Sequence, residues 1–187
     1  MWQDYQWLNQ PTEIDNQQQL KFTTNGDTDF WRNTYYGFNR MTGHALLTPI
    51  PAPAFSCRIE VKLYPQKTYD QAGILLYLNE DNWLKVSAEF IPDGKSHLGA
   101  VVTSFGYSDW SSRDIDNTVF DQPLIFELVC NQQDVELYFV DGETKEQLRI
   151  AHLHADGDWK VGPYACSPNL EGQGCDVEVL AFDYREV

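Results

Sequence analysis

Trp83-Leu84-Lys85-Val86-Ser87-Ala88-Glu89-Phe90 alternates without a break: Leu84, Val86, Ala88 and Phe90 interleave with Trp83, Lys85, Ser87 and Glu89. Successive side chains of a β-strand point to opposite faces. One face of this strand is therefore apolar and closes a core. The other carries an aromatic, a cation, a hydroxyl and a carboxylate in a row. Upstream, Asp70-Gln71-Ala72-Gly73 leads into a partner strand, Gln71 to Leu78, joined to it across Asn79-Glu80-Asp81-Asn82. The pair predicts a sheet whose back seals a core and whose polar front offers a groove to a ligand.

Strand signals recur along the rest of the chain at spacings suited to a sandwich, and helical periodicity is nearly absent. The cleanest run is Phe55 to Tyr64, with Phe55, Cys57, Ile59, Val61 and Leu63 facing inward and Arg58, Glu60 and Lys62 opposite. Leu20–Thr24, Phe30–Thr34 and Tyr35–Phe38 are earlier signals. Pro49, Pro51 and Pro53 interrupt pairing and read as an extended edge or loop. Further strands are expected at Leu98–Ser104, Leu124–Cys130, Val135–Val140, Leu148–Leu153 and from Trp159. In the last, Asp176 to Tyr184, the phase shifts between Val179 and Leu180, which marks a bulge. About a dozen strands imply an all-β sandwich of two antiparallel sheets. With no repeat, linker or low-complexity stretch, residues 1–187 read as one domain.

The formal net charge of −15 excludes nucleic-acid binding, which needs a basic stripe, and disfavours an anionic membrane surface. No apolar run approaches the ~20 residues that span a bilayer. The first residues have neither a basic nor an apolar leader region, so a cytoplasmic location is expected. The acidity itself serves solubility and leaves room for a cationic protein partner. Aromatic residues make up 14% of the chain; some belong in the core, and others are available to stack on a ligand.

Cys57 and Cys130 sit in apolar strand patterns as buried thiols. Cys166 and Cys175 flank the loop from Ser167 to Gly174 and are close enough in sequence to approach each other, although cytosolic thiols are usually reduced. Zinc spacing is absent, and His152-x-His154 lacks a third ligand, so no metal and no cofactor are expected. The Glu-x-Asp-x-Glu pattern of sandwich glucanases is missing too. Glu89 is the one carboxylate on its strand's polar face, with Asp70 and Asp109 able to reach the same groove. Lys85 and Glu89 either bind a ligand or join a charge network with adjacent strands. Trp31, Trp83 and Trp110 are sugar platforms or caps on a core edge. Ser108-Asp109-Trp110-Ser111 reads as a turn, or gives Asp109 to the groove as acceptor or base.

Taken in order, Asp29-Phe30-Trp31, Tyr69-Asp70-Gln71-Ala72-Gly73, Trp83-Leu84-Lys85 with Glu89, Val101-Val102-Thr103, Ser108–Ser111 and Val161–Pro168 resemble a concanavalin A-like family known as domain of unknown function 1349, often labelled regulation-of-enolase-like. The resemblance implies a jelly-roll sandwich with a concave sheet, the surface on which legume-lectin and glucanase relatives hold sugars. It places Trp31, Gln71, Trp83, Lys85, Glu89, Thr103, Asp109 and Trp110 on that face, with Tyr164 and Ser167 at the rim. Gln71, Thr103, Tyr164 and Ser167 come from the resemblance alone. It carries no settled activity, and fold does not imply function.

Three functions follow as expectations. The first is binding of a small carbohydrate or sugar-like ligand, neutral, charged or phosphorylated, between Trp83 and Trp110 and against Gln71, Lys85, Glu89 and Asp109. The second is a glycan-active enzyme, a hydrolase, lyase or isomerase, with Glu89 or Asp109 as acid or base and Lys85 as electrostatic tuner. The third is a regulatory module that meets a metabolic enzyme through its acidic surface.

Overall fold

The computed structural model describes residues 2–16, 18–50, 52–169 and 173–187. Pro51 of the proline cluster and residues 170–172 of the loop between Cys166 and Cys175 lie outside the described residues. The strands, in chain order, are β1 (Gln6–Leu8), β2 (Glu13–Asp15), β3 (Leu20–Thr23), β4 (Phe30–Trp31), β5 (Arg40–Met41), β6 (His44–Pro49), β7 (Ala54–Tyr64), β8 (Gln71–Asn79), β9 (Asn82–Glu89), β10 (Ser96–Ser104), β11 (Tyr107–Ile115), β12 (Leu124–Asn131), β13 (Asp134–Asp141), β14 (Thr144–His152), β15 (Lys160–Cys166) and β16 (Asp176–Glu186). A short 3-10 helix at Asn117–Asp121 links β11 to β12.

Two seven-stranded antiparallel sheets stack face to face. The first runs β1-β6-β15-β8-β9-β10-β11 and the second β14-β13-β12-β7-β16-β3-β2. Their shared core takes Leu84, Val86 and Ala88 from β9 against Ile59 and Val61 of β7 and Phe126 of β12, all at most 1% exposed. The alternation read in β7 and β9 is therefore the alternation found. The break in β16 is found as well: the register slips between Val179 and Ala181, which turns Leu180 outward and returns Phe182 to the core.

Three local expectations fail, each for an identifiable reason. Ser108–Ser111 is the interior of β11, paired along β10 from Ser104↔Tyr107 to Ser96↔Ile115. The turn is one step earlier, at Phe105 and Gly106, both with positive φ. Tyr35–Phe38 is not a strand. Asn33, Tyr35, Tyr36 and Gly37 take left-handed backbone angles, which end pairing and bend the segment into a loop. Pro49 does not interrupt pairing: it is the last residue of β6, opposite Lys160 of β15, because the strands that hold β6, β1 and β15, come from far away in sequence.

All eight residues of β9 are buried, on both faces. The face turned away from the main core carries a second apolar cluster of Phe30, Leu47, Leu75, Trp83, Val101 and Tyr164. Phe30 closes it from outside, its ring 6.0 Å from that of Trp83 and 6.1 Å from that of Tyr164. The β4–β5 hairpin and the loop it carries thus cover one end of this face and leave the other end open.

Candidate binding cleft

The floor of the open end is set by strand register. Gln71 of β8 lies opposite Glu89 of β9, which lies opposite His97 of β10. One step along, Gly73 faces Ser87; two steps along, Leu75 faces Lys85, which faces Val101, which faces Trp110. Period-2 geometry puts these side chains on the same side of the sheet. Gly73 makes the close approach possible, since a Cβ there would sit 1.8 Å from the carbonyl oxygen of Val86.

Lys85 is buried and paired. Its ammonium donates to Asp29 Oδ1 at 3.0 Å and to Gln71 Oε1 at 2.9 Å, and lies 5.8 Å from the centre of the Tyr164 ring. The Tyr164 hydroxyl donates to the same Gln71 oxygen at 3.1 Å, and the Gln71 amide N–H donates to the Tyr69 carbonyl at 3.1 Å. Burial by itself lowers the pKa of the Lys85 ammonium, but Asp29, with lesser help from Cys166 and Glu89, outweighs that and holds it above the usual lysine value. Burial pushes the Tyr164 phenol and the Cys166 thiol well above their ordinary ranges. Both stay neutral, and the pair Lys85⁺–Asp29⁻ is the fixed charge of the floor.

Glu89 differs from Lys85, Gln71 and Tyr164, which are hydrogen-bonded to one another or to Asp29. It is only 6% exposed, and among the described residues its carboxylate has no hydrogen-bond partner. Burial raises its pKa to about 7; Lys85 opposes this rise and Asp29 adds to it. Its oxygens reach a cleft of about 740 Å³ that opens above them. The walls are aromatic: Trp31, Tyr35, Phe38, Tyr69 and Trp110. Trp31 is held by its indole N–H donating to the Thr34 carbonyl at 2.8 Å. The loop is tied to the β10–β11 end of the sheet. Arg32 pairs with Asp81 at 2.7 Å, the Arg32 N–H donates to Ser108 Oγ at 2.9 Å, and Asn33 donates to the Gly106 carbonyl at 2.8 Å.

Of the residues expected at the site, Trp31, Gln71, Lys85, Glu89 and Trp110 line this cleft. Trp83 does not: it is 0% exposed, its indole N–H donates to the Glu80 carbonyl at 3.1 Å, and Phe30 lies against it. It shares the face with Lys85 and Glu89 as expected, but no ring face is left for a ligand. Asp109 borders the cleft while its carboxylate points elsewhere. On β11 it alternates out of phase with Ser108 and Trp110, and it pairs with Arg149 of β14 at 3.2 Å. Thr103 is buried and shares a 2.7 Å hydrogen bond with Ser108 Oγ, beneath the loop anchor. Tyr164 is sealed below Phe30. Ser167 is no rim residue; it is buried in a hydroxyl cluster with Thr24 and Thr28. Cys166 and Cys175 are both free thiols, and burial lifts that of Cys175 to about 12. Among the described residues no group of three metal-ligating side chains converges; His152 pairs instead with Asp134 at 2.7 Å.

Asp29 and Tyr69 were missed, although both stand inside quoted motifs. The signal for Asp29 was available: a lysine on a strand with two buried faces needs a counter-charge. Tyr35 and Phe38 carry no such signal, because a bent loop rather than a strand pattern brings them to the cleft.

Comparison with known proteins gives three findings. The family model described as a protein of unknown function, DUF1349, matches residues 7–187. A curated relative, "Regulation of enolase protein 1" of Saccharomyces cerevisiae (strain ATCC 204508 / S288c), is 33% identical over 167 residues, 89% of this chain and 82% of its own. Among solved structures, a functionally unknown protein from Saccharomyces cerevisiae superposes with a TM-score of 0.87 at 30% identity, over 98% of this chain and 97% of its own. A GH43 protein, BlXynB from Bacillus licheniformis, gives 0.76 at 18% identity over 98% of this chain and 37% of its own. A legume lectin-like domain from Entamoeba histolytica gives 0.65 at 10% over 98% and 90%. The last two speak to fold alone: the architecture is a concanavalin A-like jelly-roll sandwich.

Proposed function

The chain belongs to this family of unknown function, DUF1349, and from the geometry of its cleft we propose that it binds a carbohydrate or sugar-like ligand above Glu89. The observation that carries the reading is a buried carboxylate without a hydrogen-bond partner at the foot of aromatic walls. A sugar ring has apolar faces for indoles and hydroxyls for an acceptor, so it satisfies both at once. Trp110 and Trp31 would flank the ring, and Glu89 would bond its hydroxyls. Because Lys85 and Asp29 neutralise each other, they serve as a rigid base for Gln71 and Tyr164.

A glycan-active enzyme is less well supported. Hydrolysis usually needs two carboxylates flanking one bond. Asp109 is turned to Arg149 and Asp29 is held by Lys85, so Glu89 has no free acidic partner. A protein-interaction role is favoured by one observation only, the name of the yeast relative, and the net charge of −15 is compatible with a cationic partner. Among the described residues no helix is long and apolar enough to cross a membrane; a cytoplasmic location belongs to the same proposal.

The test is calorimetric titration with a panel of mono- and oligosaccharides, using the full chain and Trp110→Ala. Saturable heat that disappears in Trp110→Ala, with the thermal transition unchanged, is the expected result. Absence of binding by every sugar, with a partner retained from lysate by both proteins, would move the function to the interaction reading.

A further inference from the structure

We infer that the ligand of this cleft carries a positive charge, an amine-bearing sugar in its ammonium form; the inference rests on the carbohydrate reading and narrows it. Among the described residues, four that line the cleft bear a carboxylate or an ammonium: Asp29, Lys85, Glu89 and Asp109. The sole cation among them already has its counter-charge, since Lys85 pairs with Asp29 and gives a second of its three N–H groups to Gln71. Asp109 is spent on Arg149. What remains for a ligand is the Glu89 carboxylate, buried and unpartnered among the described residues.

The charge classes of sugar then separate. A phosphate or carboxylate entering the cleft meets a cation already neutralised by Asp29 and approaches Glu89, so its desolvation is poorly offset. A neutral sugar offers hydroxyl donors but no counter-charge. An ammonium supplies both, and the aromatic walls add to it, because the faces of Trp31, Tyr69 and Trp110 are the negative ends of their ring quadrupoles. The charge of the whole molecule also draws a cation toward the cleft. The structure thus removes the phosphorylated and acidic sugars that a free Lys85 would have accommodated.

The experiment compares matched pairs at pH 7: glucosamine with glucose, galactosamine with galactose, mannosamine with mannose, and glucose 6-phosphate as the anion. The full chain and Glu89→Gln are each titrated by calorimetry. The expected result is that at least one amine binds about tenfold or more tightly than its neutral partner, and that Glu89→Gln weakens the amine about tenfold more than it weakens the neutral sugar. Equal or tighter binding of the neutral sugars, or binding of the phosphate, overturns the inference and leaves the carbohydrate reading intact. If no sugar of any charge binds, the carbohydrate reading fails and takes the inference with it. Circular dichroism of Glu89→Gln confirms that both proteins are folded in each comparison.

Discussion

Replacing Glu89 by glutamine should stabilise the protein at neutral pH and do so less and less as the pH falls. The folded carboxyl titrates at about 7 against a usual 4.5, chiefly because burial penalises its ionised form. Between those values the folded chain holds a proton that the unfolded chain has lost. Folded stability therefore declines as pH rises from 4.5 to 7 and levels off above it. At 1.36 kcal/mol per pH unit the full decline is about 3 kcal/mol. Glutamine has the same shape and no charge, so it does not share the decline. The advantage of Glu89→Gln over the natural chain should grow by about 3 kcal/mol between pH 4.5 and pH 8, which for a domain of this size is roughly 6–12 °C in Tm. Urea unfolding at half-unit pH steps measures it. Other titrating groups cancel in the difference, provided Lys85, Asp29, Tyr164 and Cys166 keep their contacts. Parallel stability curves for the two proteins across that range would refute the claim that Glu89 is a desolvated, unpaired acid.

The other predictions separate packing from binding. Trp83→Ala should cost about 3–5 kcal/mol of stability, since it empties a site sealed by Phe30, whereas Trp110→Ala, 40% exposed, should cost far less, as denaturant titration will show. Lys85→Met should lose about 3–5 kcal/mol by leaving Asp29 uncompensated, and adding Asp29→Asn should return most of it; a double mutant no better than the single would mean that the pair is not the main term. Asp109→Asn should leave sugar affinity unchanged and shift stability by about 1 kcal/mol or less, because its own carboxylate is exposed and pairs with Arg149 on the far side of β11.

The two faces of β9 and the core face of β7 were legible directly, because a pleated strand converts alternation into sides without reference to the rest of the fold. The bulge in β16 was legible for the same reason: a slip of one residue reverses the apolar pattern, and Val179-Leu180 records it. Phase also explains the error at Asp109. Read as a turn, Ser108–Ser111 allows any direction for its carboxylate; read as a strand continuing from Tyr107, it sends Asp109 away from Ser108 and Trp110. The error at Trp83 has another origin. Alternation gives the side of the sheet but not what lies above it, and Phe30, some fifty positions earlier, lies above Trp83.

By itself, then, the amino-acid order determined two antiparallel sheets, the inward residues of the central strands and the common side of Lys85 and Glu89, since each follows from local backbone geometry. Only the tertiary structure decided which groups on that side are occupied. Asp29 and Gln71 hold the ammonium, Phe30 covers the indole at 83, and Glu89 is left open in the cleft that Trp31 and Trp110 line. The reason is physical: occupancy depends on contacts between segments that are distant in the chain, and a two-residue period carries no information about them.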